Sequence, residues 1–441
     1  MIDTAARDPR NDERSERSCG CALHSAMHPV TPESLTASAS HQPFTPRRRN
    51  VAQRTGDPIR RMRIETITSD GAFAALRPAW DAIADRIDAQ SIFFRYDWFA
   101  AAWAWRRHDA ELRILIAREG EAVAAILPLI SVRSRGWRRV WTLLTVPDTQ
   151  CCDLIAVAKV ADAASQAFAS DIASRRDWDV LMLDYLAPNG LIPNHLVPRL
   201  QQHRVHCVVE ARGRNLCIPL GGRWDAYWAT RSRSLKKACN LAANRLQKVG
   251  AVRIEHVGPG AMTDRECERA TQAAIDISAR SWKKPTGNSL DHPGPGGFIR
   301  CLSNAARAEG WLSIWLAYVD ERPVAMEYQL VYRGAVHALR SDFDASLEHV
   351  SPGSYLFRYL LEHMFDNRVS LYLMGPGDNA YKARWTSDGK PLCRTWSYNR
   401  TFAGRSAHWI DQLAKPALRP LWHRLRGERS AGAGERSGGA T

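Results

Sequence analysis

The chain has 441 residues, 45% of them hydrophobic and 24% charged, which excludes a fibrous or wholly disordered protein. At about 150 residues per domain, two or three domains fit. Lys and Arg number 61 against 46 Asp and Glu, and the formal charge of +15 favours acidic partners (nucleic acid, anionic membrane surfaces, phosphate-bearing substrates) without choosing among them.

Residues 1–61 are rich in Arg, Asp, Ser and Pro and hold too little apolar surface to offset chain entropy, so a disordered basic extension is expected. Cys19-Gly20-Cys21 with His24 and His28 lies in this stretch but lacks Cys-x-x-Cys spacing, and no metal is expected. The ten cysteines show no disulfide framework, which fits a reducing compartment. The first residues contain no apolar run for a signal peptide, and the greasiest stretch, Ile114 to Ile130, is interrupted by Arg118-Glu119-Gly120-Glu121. A cytoplasmic location without a transmembrane segment is the expectation. A strand-like segment opens directly at Met62, making Met62 an alternative translation start.

From there the chain reads as one plan used twice. In the first half a helix over 97–107 precedes the strand LRILIA, a turn at Glu119-Gly120-Glu121 and one returning strand, AVAAILPLI. WRRVWTLLTV, a helix near 161–174 and the strand DVLMLDYL follow. A basic helix over 232–249 links the halves. The second half repeats the order with a helix over 298–307, WLSIWLAYV, a turn at Asp320-Glu321-Arg322-Pro323, and VAMEYQLVY. It continues through AVHALRSDFD, a helix over 354–365 and SLYLMG. Alternating helices and strands predict an α/β fold, a mixed sheet flanked by helices built twice. The expected divisions are 62–212, 213–405 and a mostly disordered tail over 406–441.

Ser351-Pro352-Gly353-Ser354 opens a helix whose apolar residues Tyr355, Leu356, Tyr359, Leu360 and Met364 fall at helical spacing. Such a start presents free N–H groups and the positive end of the helix dipole, and it suits a pyrophosphate. Further on stands Gly375-Pro376-Gly377-Asp378-Asn379-Ala380-Tyr381-Lys382-Ala383-Arg384-Trp385. In the first half Pro147-Asp148-Thr149-Gln150-Cys151-Cys152-Asp153 takes the place of the phosphate loop and has no glycine. That half is expected to bind no donor and to shape the acceptor site, with its vicinal cysteines buried and inert.

Residues 62–405 resemble the GNAT-type acyltransferases of the FemABX-like and CelD-like (BioF-associated) families, through the hairpin, the Ser-Pro-Gly helix start and the closing Gly-x-Gly-Asp-x-x-Tyr-Lys-x-x-Trp element. Ser232, Leu235, Lys236 and Ser281-Trp282 extend the resemblance. It implies two tandem GNAT-like domains, with an acyl-CoA, most simply acetyl-CoA, held at Ser351, Pro352, Gly353 and Ser354. The usual Gly-x-Gly phosphate signature is replaced by His349-Val350-Ser351-Pro352-Gly353.

For transfer to an amine, the resemblance implies Glu327 as base, with Asp342 or Asp344 as alternatives. Lys382 would face the oxyanion and Tyr381 would supply the leaving-group proton. Trp282, Lys236, Trp385 and Asp378 are expected at the substrate cleft, Asp378 also as a helix cap. Arg231, Arg233, Lys237, Arg245 and Lys248 add positive charge to the linking helix. An acyl-CoA-dependent N-acyltransferase in polysaccharide or cell-envelope synthesis, a FemX-like transferase using aminoacyl-tRNA, and a non-catalytic exopolysaccharide scaffold are the three functions considered.

Overall fold

The computed structural model describes residues 62–414 apart from 88, 135–137, 261 and 367–368. The extension over 1–61 with its Cys-x-Cys and histidines, and the tail from 415, lie outside the described residues.

The first half contributes β1 (Arg63–Ile67), α1 (Asp70–Ala75), α2 (Arg77–Ala84), α3 (Tyr96–Arg106), β2 (Glu111–Leu112), β3 (Ile114–Glu119), β4 (Ala122–Leu127), β5 (Leu129–Ser134), β6 (Arg138–Leu143), β7 (Ile155–Ala156), α4 (Ala158–Ser174), β8 (Val180–Leu186), α5 (Val197–Gln202) and β9 (His206–Pro219). The second contributes α6 (Trp224–Ala229), α7 (Arg233–Gln247), β10 (Val252–Val257), α8 (Asp264–Ala279), α9 (Pro293–Ala308), β11 (Leu312–Val319), β12 (Arg322–Tyr332), β13 (Ala335–Phe343), α10 (Pro352–Phe365), β14 (Leu371–Pro376), α11 (Ala380–Ala383), β15 (Gly389–Tyr398) and α12 (Phe402–Trp409). The fold is α/β, with mixed sheets flanked by helices. Among the described residues no helix is long and apolar enough to cross a membrane.

The single returning strand expected over AVAAILPLI is two strands. Pro128 has no N–H to give a ladder, and its carbonyl instead accepts from Leu144 N at 2.8 Å. On one side of it β4 joins a small sheet, β1-β3-β4-β7; on the other β5 joins an 11-stranded sheet. That larger sheet runs β10-β11-β12-β13-β14-β9-β15-β8-β6-β5-β2 and contains strands of both halves.

Its centre explains why. The last strand of the first half, β9, lies against β14 of the second, and the last strand of the second, β15, lies against β8 of the first. The two exchanged strands pair with each other along Gly389–Tyr398. The expected division after residue 212 therefore falls inside one continuous strand.

Three main cores hold these layers. The helices expected to be equivalent, α3 and α9, pack on each other with the Trp98 and Phe298 rings 5.4 Å apart. Phe168 and Trp178 centre the core of the first half, while Leu356, Leu360 and Trp385 centre that under α10 and α7. Helix α7 is capped by Ser232, whose hydroxyl accepts from Leu235 N, and buries Leu235, Cys239, Ala242 and Leu246.

Candidate active site

Strands β13 and β14 run parallel but pair only at Ala335–Leu371, Val336–Tyr372 and His337–Leu373. β13 then continues to Phe343 and β14 to Pro376 without further pairing to each other, so a wedge opens between them. On the next strand, Glu327 stands between Trp315 of β11 and Ser341 of β13. Leu339 is left over where the register shifts between Tyr328 and Gln329, a bulge that adds twist beside the wedge.

Glu327 is only 2% exposed, and its Oε2 has no hydrogen-bond partner among the described residues. Burial pushes its carboxyl up to about 8, against the opposing pull of the Ser341 hydroxyl and the Lys283 ammonium. A carboxyl poised there near neutrality suits proton transfer. Asp342, the alternative base, is engaged otherwise: it accepts from Ser278 Oγ at 2.7 Å and forms an ion pair with Lys283. Asp344 caps the short turn over 345–350 and pairs with Arg280 and Arg322; together these hold its carboxyl down at about 2 despite burial, so it is unsuited as a base.

Across the wedge, Lys382 Nζ donates to the carbonyls of Gly375 at 2.9 Å and Pro376 at 3.0 Å, leaving one N–H of its three. Burial pushes this ammonium down to about 8. Gly375 has φ 84°, a left-handed backbone that favours glycine, and it faces Gln150 Nε2, Ala338 O and Lys382 Nζ, which a Cβ would meet only at ordinary contact distances of 3.6–3.7 Å. The Tyr381 phenol is pushed well up, mainly by burial and then by Glu327, and holds its proton firmly.

Gln150, in the glycine-free segment Pro147–Asp153 of the half expected to shape the acceptor site, fills the wedge's vertex. Its Nε2 donates to Ala338 O at 2.6 Å, the first carbonyl of β13 beyond the pairing, while Asn215 Nδ2 donates to its Oε1 at 3.4 Å. Two residues earlier, Asp148 forms a buried ion pair with Arg340 at 2.7 Å. The first half thus supplies one wall of the site. Its own parallel pair, β6 and β8, also parts after three residues, but there Cys152 pairs with Leu186 and closes the gap. Burial raises the Cys151 thiol to about 12 and pushes that of Cys152 well above its ordinary value. Lys283, which touches both Asp342 and the field of Glu327, is the other residue that sequence reasoning missed; its neighbour Trp282, 54% exposed, was the available signal.

The proposed phosphate seat follows β13 directly. Ser351 adopts φ 55° and its side chain makes no capping bond, so the N–H groups of Gly353 and Ser354 have no intrahelical acceptor and no side-chain cap. Pro352 is buried, and Gly353 lies against Phe343, whose ring would be 3.4 Å from a Cβ. Arg245 of α7 donates to His349 O at 3.1 Å and places a cation beside this corner.

Four expectations need correction. Asn379, not Asp378, caps α11 by accepting from Lys382 N at 2.9 Å; Asp378 instead pairs with Arg214 at 3.1 Å. Trp385 is fully buried, stacked edge-on against Phe357 at 4.7 Å, and belongs to the core rather than the cleft. Lys236 Nζ donates to Ala229 O at 3.0 Å, turned toward the start of its own helix. Tyr359 is 47% exposed, because the buried stripe of α10 runs through Phe357 and Leu361 as well as Leu356, Leu360 and Met364. Among the described residues no group of His, Cys, Asp and Glu is placed to hold a metal.

Residues 233–383 match the family model described as an acetyltransferase (GNAT) domain. That span runs from α7 through α11 and contains Glu327, the α10 start and Lys382. No curated protein matches the chain. Similar solved structures include FemX, at 10% identity and TM-score 0.49, covering 79% of this chain and all of that one. The C-terminal domain of a putative lysylphosphatidylglycerol synthetase from Agrobacterium fabrum has 12% identity and TM-score 0.46, covering 77% and 97%. A tandem GNAT protein from the clavulanic acid biosynthesis pathway has 11% identity and TM-score 0.39, covering 76% and 98%.

Proposed function

We propose that the chain is an N-acyltransferase that takes an acyl group, acetyl in the simplest case, from acyl-CoA and passes it to an amine within the wedge of the second half. The observation that carries this reading is the buried, half-partnered Glu327 beside a parting of two parallel strands, inside a segment matched to the GNAT acetyltransferase domain. In this reading the N–H groups of Gly353 and Ser354, with Ser351 and Pro352 shaping the corner, receive the donor's diphosphate. Glu327 takes the proton as the amine nitrogen bonds to the thioester carbonyl carbon. The free N–H of Lys382 faces the resulting oxyanion, and Tyr381 protonates the thiolate as the C–S bond breaks. Asp342 holds Lys283, whose charge assists Glu327 in releasing its proton. Trp282 stands at the exposed rim as an acceptor contact.

Calorimetric titration with acetyl-CoA tests the donor assignment. A dissociation constant on the order of micromolar is expected, lost in Gly353→Leu, which crowds Phe343 and covers the helix start. Binding of aminoacyl-tRNA but not acetyl-CoA would replace the donor. Binding of neither would overturn acyl transfer.

A further inference from the structure

The wedge narrows onto a side chain lent by the other half. Gln150 is 1% exposed, and its amide reaches both walls. On one side its Nε2 donates to Ala338 O of β13 at 2.6 Å; on the other the same nitrogen would lie 3.6 Å from a Cβ on Gly375 of β14. Asn215 Nδ2 of β9 holds the far end of the amide through Oε1. Moving this side chain aside would therefore leave buried polar atoms unpaired. Immediately behind it His337 pairs with Leu373, and the two strands are closed.

Lys382 Nζ stands at the same level, donating to Gly375 O at 2.9 Å and lying 3.7 Å from where a Cβ on Gly375 would be. The helix start assigned to the diphosphate follows the open end of β13, so the acyl end of the donor, farthest from the diphosphate, points toward the vertex. A thioester carbonyl held by Lys382 then has Gln150 directly beyond it. We propose that Gln150 sets the acyl length of the donor, admitting an acetyl-sized group and excluding chains of about six carbons or more. This rests on the acyl-CoA assignment above and adds the class of acyl group to it.

Competition calorimetry of the full chain with acetyl-CoA and hexanoyl-CoA tests the proposal. The wild type is expected to bind acetyl-CoA about tenfold or more tightly than hexanoyl-CoA. Gln150→Ala, which removes as many heavy atoms as hexanoyl adds to acetyl, is expected to bring the two within about threefold, with unchanged circular dichroism. Gln150→Leu keeps most of the bulk without the hydrogen bonds and is expected to stay selective. Equal affinity of the wild type for both donors, a Gln150→Ala as selective as the wild type, or a Gln150→Leu as permissive as Gln150→Ala would overturn the length role and leave acyl-CoA binding standing. Failure of the wild type to bind either donor would instead overturn the acyl-CoA assignment, and the length role with it.

Discussion

Replacing Glu327 by Gln keeps the shape and the Ser341 contact while removing the titration. In the fold this carboxyl sits at about 8, against 4.5 for the ordinary group. A carboxyl raised by folding keeps a proton that the unfolded chain gives up, so the wild type loses stability as pH rises from about 4.5 to about 8, at about 1.4 kcal/mol per pH unit. Relative to Glu327→Gln, the loss is about 3 kcal/mol between pH 5 and 7 and approaches 5 kcal/mol above pH 8. His256 and His337, both pushed down to about 4 by burial, add stability as pH rises through the range up to 6.5, but equally in both proteins. Lys382, lowered to about 8, acts only in the window from there to 10.5 and with the opposite sign. Urea midpoints of both proteins at pH 5, 7 and 9 give the difference directly, and a protonated-carboxyl infrared band present at pH 7 in the wild type alone identifies the group. A constant difference from pH 5 to 9, or a wild type without that band, would refute the argument.

Lys382→Met is expected to lower kcat by about 10²–10³ with little change in acetyl-CoA binding, and to remove the alkaline limb that the wild type shows above about pH 8 as the ammonium discharges. Wild-type turnover in a pH profile would remove the oxyanion role. Trp385→Ala is expected to cost about 3–5 kcal/mol in urea unfolding while leaving acetyl-CoA affinity intact, since its ring touches Phe357 and not the wedge. A large change in affinity at full stability would return Trp385 to the cleft.

Local pattern made most elements legible. Alternation and turn residues locate the hairpins, and helical spacing locates α3, α4, α7, α9 and α10. What escaped is non-local. β9 reads HCVVEARGRNLCIP, with no regular alternation, and its partners lie more than 150 residues away. Asp378 and Asn379 are adjacent good caps, and only backbone angles choose between them. Trp385 falls in a matched motif, which marks its place along the chain but not the side of the sheet it faces. Gln150 takes its role from reaching Ala338, 188 residues on, and nothing at its own position announces that. The second half of α12 lies beyond residue 405, in a stretch whose charge resembles a tail, yet its small residues make it dock.

The traded end strands have a consequence for how this molecule can be taken apart. A piece ending at residue 212 keeps β8 but loses its neighbour β15, and a piece beginning at 213 keeps the β9 residues that cover β14 but strips β15 from Cys393 to Tyr398 of its partners on both sides, β8 and the β9 residues over 206–211. Each fragment would present a bare, adhesive ladder to solution and would tend to reassociate with the other or aggregate. The repeat that is plain in the order of elements therefore does not mark a seam along which two independent proteins can be cut.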